Sequence, residues 1–117
     1  MMPGSAIILG MRVDAVTTES ALDIIEGFVA QGKPRQVVTV NPEFVMAALS
    51  NEQFRTVLGA ADLALPDGVG LLWAAHLLGQ RLPERVAGSD LVPRLAARAA
   101  TKGWGLYLLG AASGVAH

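Results

Sequence analysis

The chain has 117 residues, 52% hydrophobic and 16% charged, with nine Lys/Arg against ten Asp/Glu and a formal net charge of −1. That length fits one domain or less, the hydrophobic content excludes a disordered tail, and the balanced charge argues against a nucleic-acid binder held by bulk positive charge. There is no cysteine, which removes a disulfide framework, a zinc finger and a thiol nucleophile and fits a reducing compartment.

The first apolar run, Ala6-Ile7-Ile8-Leu9, has no basic residue before it and is too short for a signal-peptide core. It reads instead as a short strand, turning at Gly10-Met11 into a second one at Arg12-Val13. Thr17 or Thr18 then caps a helix whose apolar positions Ala21, Leu22, Ile24, Ile25, Phe28 and Val29 recur at steps of three and four. Gly32 and Pro34 end it. Gln36 to Val40 is a β-branched run without full alternation, the pattern of a strand covered on both faces. Asn41 at the cap and Pro42 at the first helical position start the next helix, and Ser50 with Gln53 predicts a capping box for another.

Leu63-Ala64-Leu65 predicts a second buried strand, broken by Pro66-Asp67-Gly68. Val69 to Leu78 is apolar nearly all round and predicts an interior helix. At about ten residues it is half the roughly 20 needed to span a membrane. Ser89 or Asp90 caps a helix running to about Lys102, with Gly103 at its end. Trp104 to Leu109 predicts a third core strand, followed by Gly110-Ala111-Ala112-Ser113-Gly114. Strands separated by helices predict an α/β fold: an open, mostly parallel, Rossmann-like sheet flanked by helices. Ligands in such sheets sit beyond the carboxyl ends of the strands, which selects Thr39 to Asn41, Pro66 to Gly68 and Gly110 to Gly114.

Asp67 leaves a buried strand just ahead of a helix. It can act as a general base on a hydroxyl, as a metal ligand, or only as a helix cap. Thr39 and Asn41, two apart at a strand end, share a face and can orient a sugar or phosphate by hydrogen bonds; the alternative is that Asn41 merely caps its helix. Arg85, in the polar segment Gln80 to Gly88, can clamp a diphosphate bidentately or pair with Glu84 or Asp90. Charge is uneven. Residues 1–80 carry four basic and eight acidic side chains, and residues 81–117 carry five and two. Arg94, Arg98 and Lys102, at steps of four, form a basic stripe that reads first as a solvated helix face. Gly110 to Gly114 is neither a dinucleotide fingerprint nor a Walker sequence. His76 reads as a core or partly exposed histidine. With two histidines and no cysteine, no metal site and no cofactor are expected.

Together these residues resemble the WecG/TagA/CpsF-type bacterial glycosyltransferases, the N-acetylmannosaminyl- and N-acetylmannosaminuronate transferases. The resemblance runs through Thr39-Val-Asn41-Pro42-Glu43, Leu65-Pro66-Asp67-Gly68-Val69-Gly70, Glu84-Arg85-Val86-Ala87-Gly88-Ser89-Asp90-Leu91 and Leu108-Leu109-Gly110. It implies an inverting, metal-independent transfer of a sugar such as N-acetylmannosamine from a UDP donor to N-acetylglucosamine on undecaprenyl diphosphate, in cell-surface polysaccharide synthesis. It also implies that Asp67 is the catalytic base and that Thr39, Asn41 and Arg85 bind substrate. Members of this family run to roughly twice the length, against the usual domain size, so residues 1–117 are expected to be the N-terminal part of a single transferase domain. The expected location is cytoplasmic and peripheral at the inner face of the membrane, with the membrane contact made mainly by the C-terminal half. An open sheet edge would favour a homo-oligomer. Two other readings stand beside it. A generic nucleotide-binding α/β module needs a glycine-rich turn after the first strand, where only Gly10 stands. An inactive fragment would act only through association.

Overall fold

The computed structural model describes residues 4–106, in the order β1 (Ser5–Ile8), β2 (Met11–Asp14), α1 (Thr18–Gln31), β3 (Val37–Val40), α2 (Pro42–Ser50), α3 (Glu52–Gly59), β4 (Leu63–Pro66), α4 (Val69–Leu77) and α5 (Gly88–Lys102). β1 and β2 form a hairpin with Ile8 opposite Met11, joined by Leu9 and Gly10 with φ of 49° and 81°. Two positive φ values in a two-residue connection give the twist that antiparallel strands need. Leu9 adopts one of them without a glycine's freedom, at a cost of roughly 1–2 kcal/mol. α1 opens on a reciprocal capping box between Thr17 and Ser20 and closes on Gly32 in the left-handed region.

β3 and β4 pair in parallel, Val37 with Leu63 through Val40 with Pro66. Their side chains alternate between two cores, as the two-residue period of a strand requires. Val38, Val40 and Ala64 face Ala6, Ile8, Met11 and Val13 of the hairpin, together with buried residues of α2, α3 and α4. Val37, Leu63 and Leu65 face Leu22 of α1 and Leu91 of α5. The pair is thus covered on both sides, which explains its nearly continuous apolar sequence. The α/β class and the parallel pairing follow the sequence. Within residues 4–106 the strands form one antiparallel and one parallel pair. Trp104 to Leu106 are not strand. The rest of the expected third core strand and the Gly110 to Gly114 turn lie outside the described residues.

Asp14 joins the two pairs. It is buried, its Oδ2 accepts the Ala64 N–H at 2.8 Å, and its Oδ1 lies 3.3 Å from Arg12 Nε. Arg12 Nη2 donates to the Ala61 carbonyl at 2.8 Å. A carboxylate here takes the place of a strand neighbour for an edge amide that would otherwise be buried without a partner. On the outer side of β1, the Gln80 side chain accepts from the Ile7 N–H at 2.6 Å and donates to the Ile7 carbonyl at 2.8 Å. The basic stripe of α5 is spent internally: Arg94 meets Glu19, Arg98 meets Glu19, Asp23 and Glu26, and Lys102 meets Glu26, all on α1.

Three local expectations are corrected. α4 is not interior. Leu71 and Ala75 are buried, while Val69, Trp73 and Leu77 are exposed, Leu77 at 82%. A helix apolar on every side carries no information about which side is covered. α3 is capped by Asn51, which accepts from the Phe54 N–H at 3.0 Å, while the Ser50 hydroxyl donates back to the Ala47 carbonyl. α5 starts after Ala87 with no side chain of its own at the cap, so neither Ser89 nor Asp90 caps it.

Two outcomes follow. Asp14→Ala leaves the Ala64 N–H buried and unpartnered and takes away the carboxylate that faces Arg12, and should lower unfolding stability by about 2–4 kcal/mol; an unchanged denaturation midpoint would show that the joint contributes nothing. Asp62 accepts the Gln36 N–H at 2.7 Å and pairs with Arg35 at 3.2 Å. The backbone hydrogen bond first, and Arg35 after it, hold its carboxyl below the ordinary 3.8. A depressed pKa gives stability that is complete above the ordinary value and lost as pH falls through the lowered one. The stability difference between wild type and Asp62→Asn should therefore be constant at neutral pH and shrink on acidification below about pH 4; a difference that grows with acid would contradict this.

Candidate functional site

The parallel register sets the site. Val40 pairs with Pro66 at the carboxyl ends of β3 and β4, and the Asp67 N–H then donates to the Val40 carbonyl at 2.8 Å. The next residue of each chain, Asn41 and Asp67, therefore leaves the sheet side by side. Pro66 donates no hydrogen bond there, and its carbonyl accepts the Val86 N–H at 2.7 Å. That bond ties the 80–87 segment across the end of β4 and brings Arg85 and Gly88 to the same rim.

Asp67 does not cap the helix that follows it. Gly68, φ 143°, is the cap position of α4, and no side chain caps that helix. The Asp67 carboxylate turns to α5 instead. Its Oδ2 accepts the Gly88 N–H at 3.4 Å, and its Oδ1 lies 3.8 Å from Arg85 Nε. One long hydrogen bond and one loose ion pair hold the group without saturating a carboxylate that has about four acceptor positions. The side chain is 28% exposed, so an incoming hydroxyl can reach it. Arg85 is half exposed and pairs with Asp67 rather than with Glu84 or Asp90. Glu84 accepts the Thr18 N–H at the start of α1 instead, which fixes the segment from its other side.

Asn41 caps α2, its Oδ1 accepting the Phe44 N–H at 2.9 Å. An amide that caps through its oxygen keeps two N–H donors, so capping does not exhaust it. Thr39 is half-buried on β3, and its methyl lies in van der Waals range of the space a side chain at Gly88 would fill, 3.5 Å away. Thr39, Asn41, Asp67 and Arg85 thus meet at one end of the β3–β4 pair. The site is an open rim. The grooves along α1 and α5, around Leu22 and Ala97, and beside α4, around Leu72 and His76, are lined by other residues. Exposed His76 stands away from the rim. Among the described residues no three His, Asp or Glu side chains come close enough to share a metal ion.

The sequence did not mark Gly88, whose backbone amide holds Asp67, nor Glu84 as an anchor. The local signal for the first was the lack of a competent cap residue at Ala87: the helix takes its carboxylate from 21 residues away.

A sequence model of the family described as "Glycosyl transferase WecG/TagA/CpsF family" matches residues 6–117. The chain is 35% identical over 103 residues to an N-acetylglucosaminyldiphosphoundecaprenol N-acetyl-beta-D-mannosaminyltransferase of Bacillus spizizenii, covering 88% of this chain and 40% of that protein. It is 34% identical over 93 residues to the protein of that name in Bacillus subtilis, covering 79% and 36%. The Staphylococcus aureus protein so named is 30% identical over 110 residues, covering 92% and 43%. The chain therefore spans about 40% of the length of the curated relatives it matches. The residues at the rim fall within the span matched to that family, and the chain belongs to the WecG/TagA/CpsF family of glycosyl transferases.

Proposed function

We propose that this chain is the acceptor-activating part of an inverting, metal-independent glycosyl transferase. The enzyme moves a sugar such as N-acetylmannosamine from a UDP donor to N-acetylglucosamine on undecaprenyl diphosphate, in cell-surface polysaccharide synthesis. The observation that carries this reading is the Asp67 carboxylate: held at the sheet's carboxyl end by Gly88 N–H and Arg85, yet still open to solvent on one side.

Inversion at the anomeric carbon needs one base and one displacement. Asp67 takes the proton of the acceptor hydroxyl as that oxygen bonds to the anomeric carbon. The bond from that carbon to the diphosphate oxygen breaks on the opposite face, and UDP leaves with the electron pair. Thr39 and the free donors of Asn41 orient sugar hydroxyls. Arg85 has two tasks. In the free site its Nε lies 3.8 Å from the Asp67 carboxylate and helps to hold it at the rim. With substrates bound, its guanidinium faces a diphosphate, whose geometry it matches bidentately. The groups around Asp67 are an amide and a guanidinium rather than further carboxylates, which suits charge stabilisation by hydrogen-bond donors in place of a metal ion.

The acceptor named for the relatives is a lipid-linked sugar, which supports a working position at the inner face of the membrane. No described helix is long and apolar enough to cross a membrane.

Transfer from UDP-N-acetylmannosamine to lipid-diphosphate N-acetylglucosamine is to be measured with the chain alone and joined to the C-terminal portion of the Bacillus spizizenii relative. Asp67→Asn keeps an oxygen for Gly88 N–H but cannot take a proton. Turnover should fall by on the order of 10²–10⁴ with the fold unchanged. Wild-type turnover in that variant removes Asp67 from the mechanism, and no transfer by either wild-type form removes the transferase reading.

A further inference from the structure

Gly70 is the second residue of α4, and it does not adopt a positive φ. Its backbone therefore admits any residue, and at an ordinary helical position glycine costs about 1 kcal/mol relative to alanine. The surroundings supply the reason for it. A Cβ at Gly70 would stand 3.0 Å from Cγ of Pro42, and one at Gly68 would stand 3.1 Å from Cδ of the same ring. By contrast, a Cβ at Gly27 or Gly59, two other helical glycines, meets nothing within 4 Å. Pro42 is the first residue of α2, immediately after Asn41, and Gly68 immediately follows Asp67. Its ring cannot rotate away as an open side chain would, because it is closed onto its own backbone.

We propose that the Pro42 ring, seated in the notch between Gly68 and Gly70, is the spacer that sets the distance between Asn41 and Asp67, and that Pro42 and Gly70 are positioning residues for the transfer. The β3–β4 ladder ends at the Asp67–Val40 hydrogen bond. Beyond it the two loops are free to splay, and the ring-to-glycine contact is what closes them. This rests on the proposed role of Asp67 as base. A misplacement of well under 1 Å at such a site is enough to slow a reaction that depends on near-attack geometry.

Gly70→Ala, Pro42→Ala, the double variant and Gly27→Ala as control are compared in the transfer assay. Gly70→Ala should lower kcat by about tenfold while KM changes by less than about threefold. Pro42→Ala removes the ring atoms that the new methyl meets, so the double variant should turn over several-fold faster than Gly70→Ala, and Gly27→Ala should match wild type. A double variant as slow as Gly70→Ala, or a Gly70→Ala with wild-type kcat, overturns the spacer. Asp67→Asn at full rate would instead overturn the base itself, so the two failures are distinct. A readout independent of turnover is the NMR shift of the Asn41 side-chain amide and the Asp67 carboxyl carbon. Both should move in Gly70→Ala and return toward wild type in the double variant. If neither moves in Gly70→Ala, the notch does not set their spacing.

Discussion

The hydrogen bond from Asp67 N–H to the Val40 carbonyl closes the β3–β4 ladder, and the rest of the rim is arranged around where it falls. A parallel pair delivers both chains to the same end of the sheet, so the residues that follow the last rung arrive together. Slipping the register by one would send Asp67 to the opposite face, away from Gly88 and Arg85. The two packed cores prevent the slip, because Leu63 and Leu65 are committed to the α1–α5 side and Ala64 to the hairpin side. Hydrophobic burial here does more than stabilise: it selects which side of the sheet receives the carboxylate.

The sequence made much of this legible because its punctuation is strong. Thr17 and Gly32 bound α1, Asn41-Pro42 starts α2, and the β-branched and apolar runs mark β3 and β4. The carboxyl-end rule then selected Thr39, Asn41 and Asp67, and the structure brings them to one rim along with Arg85. What could not be read depends on partners distant in the chain. Asp14 is an unremarkable acid at a strand end until Ala64, 50 residues on, presents an unpaired amide. The start of α5 was misplaced because its carboxylate comes from Asp67 rather than from a neighbour. The exposed side of α4 was hidden by a composition that is apolar all round, and the Ser50/Asn51 ambiguity is the usual one-residue uncertainty of helix ends.

The charge asymmetry between the two halves of the chain has a structural resolution. The acidic excess of the first half and the basic excess of the second meet in the ladder between α1 and α5. Most of those pairs are solvent-exposed, and each contributes little on its own. Together they commit Arg94, Arg98 and Lys102 to the carboxylates of α1. Arg85, drawn to the rim by the Pro66–Val86 hydrogen bond, is left as the cation beside Asp67.

The Gln80 amide on β1 has a consequence for the molecule among its neighbours. An edge strand invites a second polypeptide to continue the sheet, the first step of fibrillar assembly. Both outward-facing groups of Ile7 are already engaged by Gln80, so a stranger reaching that edge must evict the amide before it can dock. One side chain, 73 residues away in sequence, thereby acts as a gatekeeper against aggregation for the most apolar strand at the start of the chain.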